Sequence, residues 1–163
     1  MNFVSVNEPE SFVFHDGYFE KIIFIESDML WNVSDICVEK NNSQNSNECA
    51  MGIEKAEVIF KSFRIDSANV DGAEMKQEEW NEVIAYCGES HPYFAGLDSA
   101  FSSDGIIITA EFIFENSLVS MTIFCTEFIV SWDNFKGRAW YDKEKKDGLF
   151  KRVIEKIVAK NEE

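Results

Sequence analysis

Between Ile106 and Phe114 the chain alternates. Ile106, Ile108, Ala110, Phe112 and Phe114 fall on one face, and Thr109, Glu111 and Glu115 on the other. A period of two residues belongs to a strand whose two faces meet different surroundings, and it excludes a helix over the same stretch. Asn116-Ser117 then turns the chain into a second run, Leu118 to Trp132, so the pair reads as a hairpin. Further strand-like runs occur at Ser11–His15, Tyr18–Glu26, Met29–Glu39 and Ile53–Ile65. Asp16-Gly17 sits between the first two, and Asp-Gly is a favoured pair for a tight hairpin turn because both central positions need positive φ. Apolar residues on both faces of the second run, with Phe19, Ile23 and Ile25 opposing Ile22 and Phe24, predict a central strand covered on each side.

Two segments have the helical period instead. Trp80, Val83, Ile84 and Cys87 make one stripe, with Glu78, Glu79 and Glu82 near its start and Gly88 as the stop. Asp147 reads as the N-cap of a second helix whose apolar face is Phe150, Val153, Ile154, Ile157 and Val158. The expected fold is therefore α+β: a mainly antiparallel sheet of about six strands, with one middle helix and one C-terminal helix. Asn41 to Asn47 is a polar tract read as a mobile loop with nothing to bury, and Ser67 to Gly72 as a shorter connection. Neither resembles a domain linker, and the 163 residues are read as a single domain, 1–163.

Charge narrows the partners. Thirty acidic residues against fifteen Lys and Arg give a net −15. Such a field opposes nucleic acid, whose binding needs cations to displace counterions from phosphates, and opposes anionic membrane surfaces. Residues 1–135 hold 24 acids and 6 bases, whereas 136–163 hold 6 acids and 9 bases. The acidic body suits a basic protein partner; plain solubility explains it as well. Cys37, Cys49, Cys87 and Cys125 contain no CxxC pair, and the first ten residues lack a secretory signal pattern, so a cytoplasmic protein with free thiols is expected.

No GxGxxG, Walker, GxSxG or HExxH motif occurs, which favours a non-enzymatic protein with no catalytic residue, metal or cofactor assigned. His15 and His91 are the only histidines, each a polar candidate for a pocket. His15 also reads as a strand end, and His91 as a helix exit before Pro92. Trp132, Phe135, Arg138, Trp140 and Tyr141 mix large rings with cations and form a candidate binding segment, or else the seat of the last helix. Glu78, Glu79, Glu82 and Glu89 are candidate partner-binding acids, because one helix and its exit concentrate them. A pocket between sheet and helix, serving a small-molecule binder or enzyme, is the alternative, and pairing of edge strands leaves a homo-oligomer open.

His15-Asp16-Gly17-Tyr18-Phe19, the long strands after it, and the closing Trp132-Asp133, Phe135-Lys136-Gly137 and Trp140-Tyr141 followed by a basic helix are similar to small acidic uncharacterised bacterial families. Some of these are immunity proteins. The resemblance, one of size, acidity and overall pattern, implies neutralisation of a cognate toxin and assigns no individual residue a role.

Overall fold

A computed structural model describes residues 1–76, 79–80, 92–114 and 116–142. The strands are β1 (Phe3–Val6), β2 (Phe12–Val13), β3 (Tyr18–Ile25), β4 (Asp28–Val38), β5 (Met51–Lys61) and β6 (Arg64–Val70). They continue as β7 (Ala73–Glu74), β8 (Tyr93–Phe101), β9 (Ile106–Phe114), β10 (Ser117–Cys125), β11 (Glu127–Trp132) and β12 (Phe135–Arg138). The expected α+β division is thereby corrected. The described residues are nearly all β, one twelve-stranded antiparallel sheet in place of about six strands, with a three-residue 3-10 turn at Pro9–Ser11 and helical residues at 140–142. Two of the runs are divided by bends, into β5 and β6 and into β10 and β11, and β1, β7, β8 and β12 lie outside every run that the pattern marks, which is why the strand number doubles. Trp80 excepted, the apolar faces expected for the middle and C-terminal helices lie outside the described residues.

The order is β1-β11-β5-β4-β3-β8-β9-β10-β6-β7, with β12 on β5 and β2 on β4. Thr126 alone separates β10 from β11, and Ser62-Phe63 separate β5 from β6. Across that bend the register is unbroken: Glu127 faces Lys61, Phe124 faces Arg64, and Thr126 N donates to Lys61 O at 2.9 Å. Two long bent strands thus form one ladder, and following the neighbours from β11 through β5, β4, β3, β8 and β9 leads back to β10. The sheet closes on itself as a barrel does, which removes most free edges.

Closure between β3 and β8 rests on little backbone. Tyr18 faces Tyr93 as the one register pair, flanked by Phe19 N donating to Pro92 O (2.9 Å) and Phe94 N to Gly17 O (2.8 Å). Side chains supply the rest. Phe19 lies 4.2 Å from Phe94, 4.7 Å from Trp31 and 5.0 Å from Phe112, centroid to centroid. Trp31 lies 4.4 Å from Phe60, and Phe60 5.4 Å from Phe128. Six strands of the ring each contribute one buried ring to this cluster, in the offset, tilted and edge-on arrangements that aromatic quadrupoles favour.

The alternation at Ile106–Phe114 is realised, with Ile106, Ile108, Ala110 and Phe112 buried, and Phe114 pairs with Ser117 to make the hairpin. Asp16-Gly17 is not a hairpin turn. Phe12 faces Val38 and Tyr18 faces Ser34, so β2 and β3 lie end to end along the same side of β4, and Phe14–Gly17 is an outward kink between them. Asp16 has the positive φ of 65° that the pattern anticipates, and Gly17 N bonds Phe14 O at 2.8 Å. A Cβ on Gly17 would fall 2.8 Å from Ile36 Cγ2, so the kink needs glycine. The hairpin turn is Asp71-Gly72, within the connection read as a loop: both residues have positive φ, and Val70 faces Ala73. Strand β3 is also not covered throughout, because Phe24 and Ile25 are exposed.

The Asn tract is hydrogen-bonded and partly buried. Asn45 Nδ2 donates to Glu39 O (3.1 Å) and Cys49 O (3.0 Å), and Asn42 Nδ2 donates to Ser5 Oγ (2.9 Å) and Ser11 Oγ (2.6 Å). Buried amides that replace water with protein partners explain how a polar tract enters the interior. Burial pushes the Glu8 carboxyl up, but hydrogen bonds from the Ser5 and Ser43 hydroxyls and the Ser43 N–H stabilise its ionised form, and the net result lies below the ordinary value.

Two outcomes follow. Phe19→Ala removes the ring at the closure and should cost about 3–5 kcal/mol in urea unfolding; a loss near zero would show that closure does not depend on it. Because Glu8 titrates lower when folded, its stabilisation is present above the unfolded-state carboxylate pKa and disappears as pH falls through the folded one. Melting temperatures of wild type and Glu8→Gln should therefore differ at neutral pH, with wild type higher, and converge in acid.

Candidate functional site

Strand β12 crosses the start of β5 with Gly137 facing Gly52. Gly137 has φ 141°, a conformation that side chains oppose, and two facing glycines leave a step in the surface free of side chains. Beside that step opens a cleft of about 450 Å³, between β12, the outer half of β4 and the Phe14–Gly17 kink. Asp16, Asp35, Lys136 and Arg138 supply its charges, and Tyr18 and Trp140 its rings. Ile36, Ile53 and Ala139 are buried and form its apolar side, with Cys37. Lys136 Nζ donates to Asp35 Oδ1 at 2.5 Å. Asp35 alone departs from extended backbone there, with φ 56°, while Ser34 and Ile36 on either side stay paired with Lys55 and Ile53.

The candidate segment from Trp132 to Tyr141 is divided by the fold. Trp132 is fully buried, stacked 5.4 Å from Phe3 and edge-on to Phe12 at 5.7 Å, and Phe135 packs on Phe3 at 4.8 Å. Arg138 and Trp140 instead line the cleft, Trp140 being 52% exposed. Tyr141 OH donates to Glu39 Oε1 at 2.8 Å; burial first, then that carboxylate, raises the phenol well above its ordinary range.

His15 is exposed beside the cleft. Its Nδ1 lies 2.8 Å from Ala95 O, so it donates there, and Nε2 lies 3.6 Å from Asp16 Oδ1. With Nδ1 holding the donated proton, Nε2 carries one only in the imidazolium form, and the contact becomes an ion pair only then. Glu79 is exposed and accepts a hydrogen bond from Lys76 N at 2.9 Å. Glu78, Glu82, Glu89 and His91 lie outside the described residues. Among the described residues no group of three or more His, Cys, Asp or Glu is placed to hold a metal.

A second surface lies on strands that carry no motif. From Gln77 through Phe135 the chain has no Lys or Arg and ten Asp and Glu. That interval contains β8, β9, β10 and β11. On the outward side of β8–β9–β10–β6, Asp98, Thr109, Thr122 and Ser67 form one cross-strand row. Glu111, Ser120, Asn69 and Glu74 form the next. Asp98 and Glu74 are exposed and Glu111 half-buried. Arg64, at the far end of β6, is engaged by Asp66 at 2.8 Å and lies over the Phe124 ring at 3.8 Å. The signal for this face in the sequence is the longest stretch without a base; clustered acids alone point to positions 78–89 instead.

The thiols differ in setting. Burial pushes Cys37 up to about 11, with Glu39 and Asp35 adding to it, and burial alone pushes Cys125 to about 11. Iodoacetamide at mildly alkaline pH should leave both unmodified in the native protein and label both in guanidinium; native labelling of Cys37 on peptide mapping would contradict its placement against Ala50 and Ala139. Compared with family models, curated proteins and solved structures, the chain matches none.

Proposed function

We propose that the protein is a non-enzymatic binding module for a basic protein partner, engaged through the outer face of β8, β9, β10 and β6. The observation that carries this is the base-free interval Gln77–Phe135, which places Asp98 on β8 and Glu111 on β9, where the antiparallel register sets them in rows with Ser, Thr and Asn side chains and with Glu74 of β7. An outer face with acceptors of one sign and few competing cations attracts a basic surface from a distance and then supplies hydroxyl and amide partners on contact. Long-range attraction of this kind raises the association rate more than it slows dissociation.

A toxin nuclease is one partner class with the required charge, because a surface that binds nucleic acid must be rich in Lys and Arg. Neutralising such a toxin is the role that size, acidity and overall pattern suggest.

The test compares wild type with Asp98→Asn/Glu111→Gln/Glu74→Gln. Each serves as bait in lysate of the source organism at low and high salt. A stoichiometric basic protein should be held by wild type at low salt and released at high salt, and its association rate should fall on the order of tenfold with the triple variant. Equal capture by both baits, capture insensitive to salt, or no stoichiometric basic protein would each overturn the reading.

A further inference from the structure

The cleft beside β12 shares no residue with the acidic face and carries a separate inference. Its four charged residues sum to zero in a chain of net −15. Two of them are spent on each other, Lys136 on Asp35 at 2.5 Å. The other two, Asp16 and Arg138, are of opposite sign and no ion pair joins them, nor does Arg138 pair with any other described residue. Asp16 has His15 nearby at 3.6 Å, a cation only when that ring is protonated. One wall thus offers a carboxylate and another a guanidinium across about 450 Å³, within the roughly 300–1,000 Å³ common for small-molecule sites.

The ring-bearing side chains complete the site. Tyr18 is 45% exposed and Trp140 52% exposed, and both border this same space. Exposed aromatic faces in a cleft suit a flat apolar body. The side-chain-free step at Gly52 and Gly137 lets such a body approach the backbone of β12 closely.

We propose that this cleft binds a small zwitterion with a flat apolar body, of the amino-acid class, its carboxylate on Arg138, its ammonium on Asp16 and its body against Tyr18 and Trp140. A simple anion meets Arg138 but also Asp16 and the field of the acidic chain. A simple cation meets Asp16 but also Arg138. Only a ligand with both charges satisfies both residues, and the guanidinium fork favours a carboxylate that it can hold through two parallel bonds.

Calorimetric titration with three probes sharing one ring tests this: L-tryptophan, tryptamine without the carboxylate, and indole-3-propionate without the ammonium. Wild type should bind tryptophan most tightly. Arg138→Gln should weaken tryptophan by about tenfold or more, which converts to ~1.4 kcal/mol, and should tighten tryptamine, whose ammonium no longer meets a like charge. Asp16→Asn, which keeps a residue tolerant of positive φ, should weaken tryptophan and tighten indole-3-propionate, whose carboxylate no longer meets a like charge. Trp140→Leu, at a half-exposed position that the core does not depend on, should weaken all three. Equal affinity for the three probes, no heat with tryptophan at millimolar concentration, or wild-type binding by both charge variants would each overturn the proposal.

Discussion

The contact of Phe19 with Phe94, 4.2 Å between ring centroids, holds together what the backbone barely joins. On one side of the barrel two bent strands run as a single ladder through Thr126 and Ser62, and an unbroken run of backbone pairs gives continuity there. On the opposite side β3 and β8 share one register pair. Closing a ring there costs chain entropy that few backbone bonds offset. The aromatic cluster supplies the compensation, because each strand of the ring contributes a large apolar surface to the same interior point. The position of the cleft follows from this closure: Tyr18 precedes Phe19, and the Phe14–Gly17 kink that bonds to β8 is also the wall that carries Asp16.

What the chain revealed beforehand was local. The β9–β10 hairpin was legible because Ile106, Ile108, Ala110 and Phe112 repeat at the period of the pleat, and neighbours in sequence decide that pattern. The two Asp-Gly pairs were not distinguishable. Both Asp16 and Asp71 adopt positive φ, so local chemistry is the same, but only Asp71 lies between strands that pair with each other. Strand pairing at a distance decides the difference, and composition carries no record of it. The Asn41–Asn47 tract failed for a related reason. Its amides read as solvent-loving until carbonyls of Glu39 and Cys49 and hydroxyls of Ser5 and Ser11 are brought around them.

The candidate sites divide in the same way. Arg138 and Trp140 were visible as a cation and ring near each other in sequence, but Asp16, Tyr18 and Asp35 come from far along the chain and join them only through the β4–β5–β12 register. Trp132 illustrates the opposite error. Its neighbours suggested a binding segment, whereas Phe3 and Phe12, more than a hundred residues earlier, turn it into core. Within a strand, successive side chains face opposite ways, so a sequence cluster on β11 and β12 is bound to be divided between interior and surface.

The base-free interval has a consequence for the lifetime of the chain. Proteases of the trypsin type need Lys or Arg before the bond they cut, and none occurs from Gln77 to Phe135. The segment holding β8, β9, β10 and β11 therefore offers them no cleavage point even when the barrel opens, and Lys76 and Lys136 mark the ends of one uncut fragment. The part of the chain that holds β1 to β7 carries six such points, from Lys21 to Lys76, and residues 136–163 carry nine. Degradation by such an enzyme would begin on either side of this interval and leave its acidic strands for last, a pattern of turnover written by charge placement rather than by stability.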